Sequence, residues 1–434
     1  MLNCSISNSK FSIQHLKFKI MELLRFFTAG NVDDGKSTLI GRLLYDSNSI
    51  STDIIETLTR QSKTTGVNSD IDLALLTDGL RAEREQGITI DVAYKYFTTE
   101  KRKFIIADTP GHIQYTRNMF TGASNADLAI ILVDARNGIT DQTKRHSIIS
   151  SILNIPHVLV CVNKMDLVNY SQEAFNQIVS EYKEFAKPLN LKDISFIPTS
   201  ALAGDNVVTK SSKLSWYTGA PLLEFLETVN IVDQNLNEAP RFQVQYVIRP
   251  QTDELHDYRG YAGKVLSGSY KKGDKVVVLP SNIETVIEKI EKDFKEIEIA
   301  EISEPIVIHL KDDVDISRGS TIVPVNSQPK TEKELTATLC WMDNAAFIPG
   351  QKLILQQNSY KTKAVVKEVL GKIDIHSFAN LESDGAMKLN DICKVFIKTA
   401  EPLSFDPYKV NRNSGAFILI NENTNNTVAA GTID

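Results

Sequence analysis

The chain has 434 residues, 48 Lys and Arg against 54 Asp and Glu, and a formal net charge of −6. That length suggests about three domains of roughly 150 residues each. The acidic balance argues against a nucleic-acid-binding surface spread over much of the molecule. Four cysteines, Cys4, Cys161, Cys340 and Cys393, lie far apart without CxxC or His-paired spacing. This excludes an obvious zinc site or disulfide framework and suits a reducing, cytoplasmic setting. No apolar run is long enough to span a membrane.

The first twenty residues carry no acidic group and only short apolar clusters, without the continuous apolar core of a secretory signal. Residues 1–20 therefore read as a disordered extension, with Met21 as a second possible start. LLRFFTA (Leu23–Ala29) has strand character, and LIGRLLYDS from Leu39 has helical spacing. Between them Gly30, Asn31, Val32, Asp33, Asp34, Gly35, Lys36, Ser37 and Thr38 read GNVDDGKST, which fits GxxxxGK[ST]. Strand, Gly-rich turn and helix is the context in which backbone N–H groups and a helix N-terminus cradle phosphates. Lys36 is expected to reach the β- and γ-phosphates, and Ser37 to place its hydroxyl on Mg²⁺.

Further along, EREQGITI mixes charge with Gly87 and ends near Thr89, whose hydroxyl could join the Mg²⁺ shell only while a γ-phosphate is present. KYFTTEKRKFIIAD reads as an antiparallel hairpin ending in Asp108, a second metal-holding group at a strand's carboxyl end. Thr109, Pro110, Gly111 and His112 complete DTPGH. Gly111 lets a backbone N–H approach the γ-phosphate, and His112 is placed to orient the attacking water. TDQTKRHSIISSIL and SQEAFNQIVSEYKEFA are amphipathic helices. After the apolar strand HVLVCVN come Asn163, Lys164, Met165 and Asp166, NKMD. A carboxylate at Asp166 can accept from the N1–H and 2-amino groups of guanine, which adenine does not offer in that arrangement. Asn163 and Lys164 steady the loop, and Ser200, Ala201 and Leu202 (SAL) supply a backbone N–H to the guanine O6. Five segments in this order point to binding and hydrolysis of GTP, with His112, Lys36, Gly111 and Thr89 as the catalytic set.

The βα alternation before Pro240 argues for a mostly parallel sheet with helices on both faces. After it, RFQVQYVIRP, YAGKVLSGSY, DKVVVLP, EPIVIHL and STIVPV are short β-type runs between Gly, Pro and Asp signals, which suit a small antiparallel barrel. A second series from about Thr331 reads as another barrel. The expected division is a GTP-binding domain over 21–235, a barrel over 240–327 and a barrel over 331–434. IEKIEKDFKEIEIAEI fits either a charge-paired helix on i,i+4 spacing or barrel edge strands, and its periodicity does not decide.

A GTP-binding domain followed by two β-barrels, with VDDGKST, GITI and DTPGH, resembles the translation elongation-factor superfamily of GTPases. Within it, NVDDGKSTLIGRLLYDS, DGLRAEREQGITIDVAYKYF, ADTPGHIQYTRNMFTGAS and the closing GAFILINENTNNTVAAGTI are similar to the GTPase subunits of bacterial sulfate adenylyltransferases, from about Met21 to the C-terminus. Asn31 stands where that family usually has Ser, and Ile113 where an acidic residue is usual. The resemblance implies that GTP hydrolysis here drives formation of adenosine 5′-phosphosulfate and pyrophosphate from ATP and sulfate. It implies a smaller partner subunit on which adenylyl transfer occurs, and no nucleic acid. The chain carries no HxGH, second GxxxxGK or SGGxDS-type loop to activate ATP itself. It ends directly after the second barrel, so a fused kinase for the product is not expected. The alternative within the superfamily is a translational GTPase carrying aminoacyl-tRNA. That would need basic stripes on the barrels, whereas Ile283–Glu304 is rich in Glu and Asp.

Overall fold

Apolar runs without polar alternation have to be covered on both faces, which places them at the centre of a parallel sheet. In the computed structural model, LAIILVD is such a strand, with all of its residues buried. The structure describes residues 22–47, 49–50, 73, 89, 91–112, 115–231, 238–250, 258–374, 380–382 and 385–434. The expected N-terminal extension and Gly87, Ile88 and Ile90 of GITI lie outside these residues, as does Ile113.

The first domain alternates β1 (Leu23–Ala29), α1 (Lys36–Asp46), β2 (Ala93–Thr98), β3 (Lys103–Asp108), α2 (Thr116–Ala123), β4 (Leu128–Asp134), α3 (Asp141–Ile152), β5 (His157–Asn163), α4 (Gln172–Ala186), β6 (Asp193–Pro198) and α5 (Leu222–Thr228). The sheet order is β2-β3-β1-β4-β5-β6. Every neighbouring pair is parallel except the β2–β3 hairpin. Helices cover both faces. Leu39, Ile40 and Leu43 of α1 and Leu222 and Leu226 of α5 pack on one side. Met119 and Phe120 of α2, Ile149 of α3 and Phe175 and Tyr182 of α4 pack on the other. Local signals set the helix starts. Thr140 caps α3 in a capping box with Thr143, and Ser171 Oγ accepts the Ala174 N–H at the start of α4.

Strands β7 (Arg241–Ile248), β8 (Gly260–Ser267), β9 (Tyr270–Lys271), β10 (Lys275–Leu279), β11 (Ile283–Lys292), β12 (Lys295–Ile297), β13 (Ile299–Ala300), β14 (Pro305–Leu310) and β15 (Thr321–Pro324) build the first barrel. The order β10-β15-β7-β8-β14-β11 closes through β10–β11 pairing, with β12 appended. The second barrel uses β16 (Lys330–Trp341), β17 (Lys352–Gln357), β18 (Tyr360–Ile373), β19 (Asn380–Leu381), β20 (Ile392–Phe405), β21 (Ala416–Asn421) and β22 (Thr427–Ile433). It closes through β17–β18, with β19 appended. A four-residue helix, α6 (Arg412–Gly415), precedes β21. Closure removes sheet edges, which is how small antiparallel β-domains avoid edge-to-edge pairing.

The ambiguous segment is β-structure. Thr285, Ile287 and Ile290 of β11 are buried, with a bulge between Ile287 and Lys289 that restores the inward register. Asp293 and Phe294, both at positive φ, turn the chain back into β12. The Glu and Lys side chains pair between strands and loops, as Lys292–Glu304 and Lys272–Glu296 do, both at 2.6 Å. Among the described residues, no helix is long and apolar enough to cross a membrane.

Candidate functional site

Strand β1 is flanked by β3 and β4, so the chain leaves the sheet in opposite directions on its two sides. In open α/β sheets that switch point, at the strands' carboxyl ends, is where ligands bind. GNVDDGKST follows β1, DTPGH starts at the last residue of β3, NKMD starts at the last residue of β5, and SAL follows β6. Four segments separated by up to 170 residues therefore share one edge of the sheet.

Gly35 caps α1 at φ 88, a conformation other residues avoid. A side chain there would also run into Asn163. Gly111 is fixed by space: a Cβ would lie 2.2 Å from the Gly30 carbonyl oxygen, so the DTPG and phosphate loops touch backbone to backbone. Lys36 is buried, its Nζ donating to the Thr109 carbonyl at 2.5 Å and lying 3.9 Å from Asp108 Oδ1. Asp108 accepts the Thr28 hydroxyl at 3.2 Å, and Thr109 Oγ1 donates to the Thr28 carbonyl at 2.7 Å. Ser37 is half-buried in the first turn of α1. Hydroxyl and carboxylate oxygens are hard donors that suit Mg²⁺ rather than a softer metal.

Asp34 points inward, its Oδ2 accepting the Asn31 N–H at 2.7 Å. Burial pushes its carboxyl up to about 6. Val32, Asp33 and Thr38 complete the loop, of which Asp33 is exposed. His112 is half-buried after Gly111, its ring edge-to-face with Tyr115 at 6.2 Å. Thr89 is half-buried and outside regular structure ahead of β2.

On the opposite flank, Asn163 ties three loops together. Its Nδ2 donates to the Asp34 carbonyl at 2.8 Å, and its Oδ1 accepts from Ala201 N–H at 2.9 Å and Thr199 Oγ1 at 3.3 Å. Lys164, at φ 61, donates to the Asp33 carbonyl and pairs with Asp134 at 3.0 Å. Burial acts to raise the Asp134 carboxyl, but Arg136 and Lys164 outweigh it and hold it at about 2. Asp166 Oδ1 accepts the Ser200 hydroxyl at 2.6 Å, linking NKMD to SAL, and Met165 is fully buried beneath them. Thr28, Asp134 and Arg42 belong to this constellation and were not singled out from the sequence. Each acts on a backbone carbonyl or a charge far away in the chain, and no spacing announces such a contact.

Residues 21–238 match the family described as "Elongation factor Tu GTP binding domain", and residues 334–434 match "GTP-eEF1A C-terminal domain-like". The chain is 49% identical over 413 residues to a "Sulfate adenylyltransferase subunit 1" of Bacteroides fragilis, covering 95% of this chain and 86% of that one. It belongs to the sulfate adenylyltransferase subunit 1 family. A subunit 1 of Colwellia psychrerythraea is 49% identical, with 95% and 88% covered. A "Bifunctional enzyme CysN/CysC" of Mycobacterium tuberculosis is 50% identical over 95% of this chain and 67% of its own length. Among solved structures, the Saccharomyces cerevisiae Ski7 GTPase-like domain, bound to GTP, aligns over 95% of this chain and 97% of that one. Its TM-score of 0.50 at 18% identity is a likeness of fold. The family assignment makes this chain a GTP-binding, GTP-hydrolysing enzyme subunit.

Proposed function

We propose that this chain hydrolyses GTP to drive formation of adenosine 5′-phosphosulfate and pyrophosphate from ATP and sulfate, with adenylyl transfer on a smaller partner subunit in the cytoplasm. The observation that carries the reading is the convergence of four nucleotide-binding segments on one sheet edge, in a chain half-identical to subunits named for that reaction. The amides of Gly30–Thr38 and the Lys36 ammonium hold the phosphates, while Asp166 and the Ser200–Leu202 backbone read guanine. Ser37, Asp108 and Thr89 would hold Mg²⁺, which when bound neutralises charge on the phosphates. Gly111 brings its N–H to the γ-phosphate, and His112 orients the attacking water. Gly111 and Thr89 also supply the coupling: an arrangement favoured with a γ-phosphate must engage the partner differently from the GDP arrangement.

The test reconstitutes the chain with the adenylyl-transferring subunit and measures adenylyl sulfate and GDP together. Product should rise with GTP and stay at baseline with GDP or a non-hydrolysable analogue. His112→Ala should leave GTP affinity nearly unchanged while turnover falls by roughly 10- to 1,000-fold, the worth of one transition-state interaction. The gain in product should disappear with it. Equal product with GDP overturns the coupling, and product from this chain alone overturns the division of labour.

A further inference from the structure

We infer that Arg42, on α1, is a positioning residue that aims the guanine-reading peptide of the Ser200–Leu202 loop, an inference that rests on the reading of that loop given above. Its guanidinium reaches 159 and 160 residues along the chain. Nε donates to the Ala201 carbonyl at 3.2 Å and Nη2 to the Leu202 carbonyl at 2.6 Å. Nη1 lies 3.5 Å from Asp46 Oδ1, one turn further along α1, which steadies the side chain.

The N–H groups of the loop are not equivalent. Ser200 N–H donates to the Asp205 carbonyl at 3.1 Å, and Ala201 N–H donates to Asn163 Oδ1 at 2.9 Å. Among the described residues, the third N–H, that of Leu202, makes no hydrogen bond, and it is the one able to meet the guanine O6. Leu202 N–H and the Ala201 carbonyl belong to one planar peptide unit and point in opposite directions. Arg42 Nε holds that carbonyl, so it fixes the direction of that N–H.

Packing of the Leu202 side chain does not supply this restraint, because the residue is 71% exposed. A charge-assisted bond to the carbonyl also polarises the peptide, which makes the N–H on its far side a better donor. Lysine would not substitute, since it lacks the planar fork that spans two consecutive carbonyls.

The test compares binding of three nucleotides to the full chain and to Arg42→Ala and Arg42→Lys. 6-Thioguanosine triphosphate weakens only the acceptor at position 6, and inosine triphosphate lacks only the 2-amino group that Asp166 reads. The parent should prefer GTP over the 6-thio analogue. In Arg42→Ala that preference should fall by about fivefold, the worth of one hydrogen bond. The preference for GTP over inosine triphosphate should not change. Arg42→Lys keeps the charge and the aliphatic stem, so it reports the same loss if the alanine variant does not fold. An unchanged 6-thio preference, or both preferences falling together, overturns the positioning role and leaves Arg42 as a general staple. A parent that binds GTP and the 6-thio analogue equally overturns the reading of the loop itself.

Discussion

Asp166 and Asp34 are two carboxylates of one site with opposite situations. Asp166 is half-buried, with one oxygen already accepting from Ser200. In Asp166→Asn the acceptor for guanine N1–H becomes an amide, and a mismatched buried polar group costs about 1–3 kcal/mol. The variant should weaken GTP and favour xanthosine triphosphate, whose C2 carbonyl accepts from that amide; competition binding reads this directly. If GTP stays preferred, Asp166 is not the base-reading group. Asp34 is buried with its carboxyl raised to about 6 from an ordinary 3.8. The folded chain therefore holds this proton more tightly than the unfolded chain. The resulting stabilisation is complete below about pH 4 and is lost as pH rises through 6, with about 3 kcal/mol as its upper size. Asp34→Asn keeps an acceptor for the Asn31 N–H and removes the titration. Its melting temperature relative to the parent should climb between pH 4.5 and 7, and a flat difference would contradict the assignment.

Helix α2, which begins just after the His112 loop, has eight residues, too few to be stable alone. Its N-cap, Tyr115, makes no side-chain capping bond. The cap comes instead from the second barrel: Asn390 Oδ1 accepts the Arg117 N–H at 3.1 Å, and Arg117 Nη1 donates to the Met342 carbonyl at 3.1 Å. At the other end, Arg412 donates to the Ser124 carbonyl at 2.9 Å and the Ala126 carbonyl at 3.2 Å. A barrel thus closes both termini of the helix that follows the proposed hydrolytic group in the chain. Losing a cap costs about 1 kcal/mol, so Asn390→Ala should speed amide exchange in Thr116–Ala123 by roughly fivefold and leave the β4 amides unchanged. Exchange rising equally in both elements would mean general destabilisation. None of this was legible in the sequence, because a cap supplied from 273 residues away leaves no local signature. The capping box of α3 was written locally. The strand character of Ile283–Lys292 was undecidable for a related reason: its Glu and Lys spacing satisfies a helix and a strand alike, and only pairing with β10, β12 and β14 breaks the tie.

The two barrels meet through a buried fork. Arg241 donates to both oxygens of Asp406 at 2.9 Å and to the Pro240 and Ser327 carbonyls at 2.9 and 2.8 Å. Arg241→Ala would strand the Asp406 carboxylate at the barrel interface, a loss of about 3–5 kcal/mol. It should lower the melting temperature far more than Lys398→Ala, which removes a partner of the exposed Glu334. Similar shifts would mean the fork does not hold the barrels together. The fold class and the phosphate-binding residues were readable because each rests on short-range patterns: alternation, apolar runs and a Gly-rich turn. Arg42 and Arg241 were not, since each looks in the sequence like an ordinary basic residue and takes its meaning from partners far along the chain.

The stretch from Asp406 to Ser414 touches every domain. Asp406 holds Arg241, Asn411 donates to Ser267 and Asn413 donates to the Leu266 carbonyl. Tyr408 donates to the Leu153 carbonyl at the end of α3, and Arg412 reaches past α2. Its length is therefore set by three bodies at once. A peptide tag spliced here would have to disturb one of them. The exposed turn at Asn423–Asn426, between β21 and β22, has its hydrogen bonds among the described residues within its own hairpin and is the place where an inserted epitope or fluorophore should be accommodated.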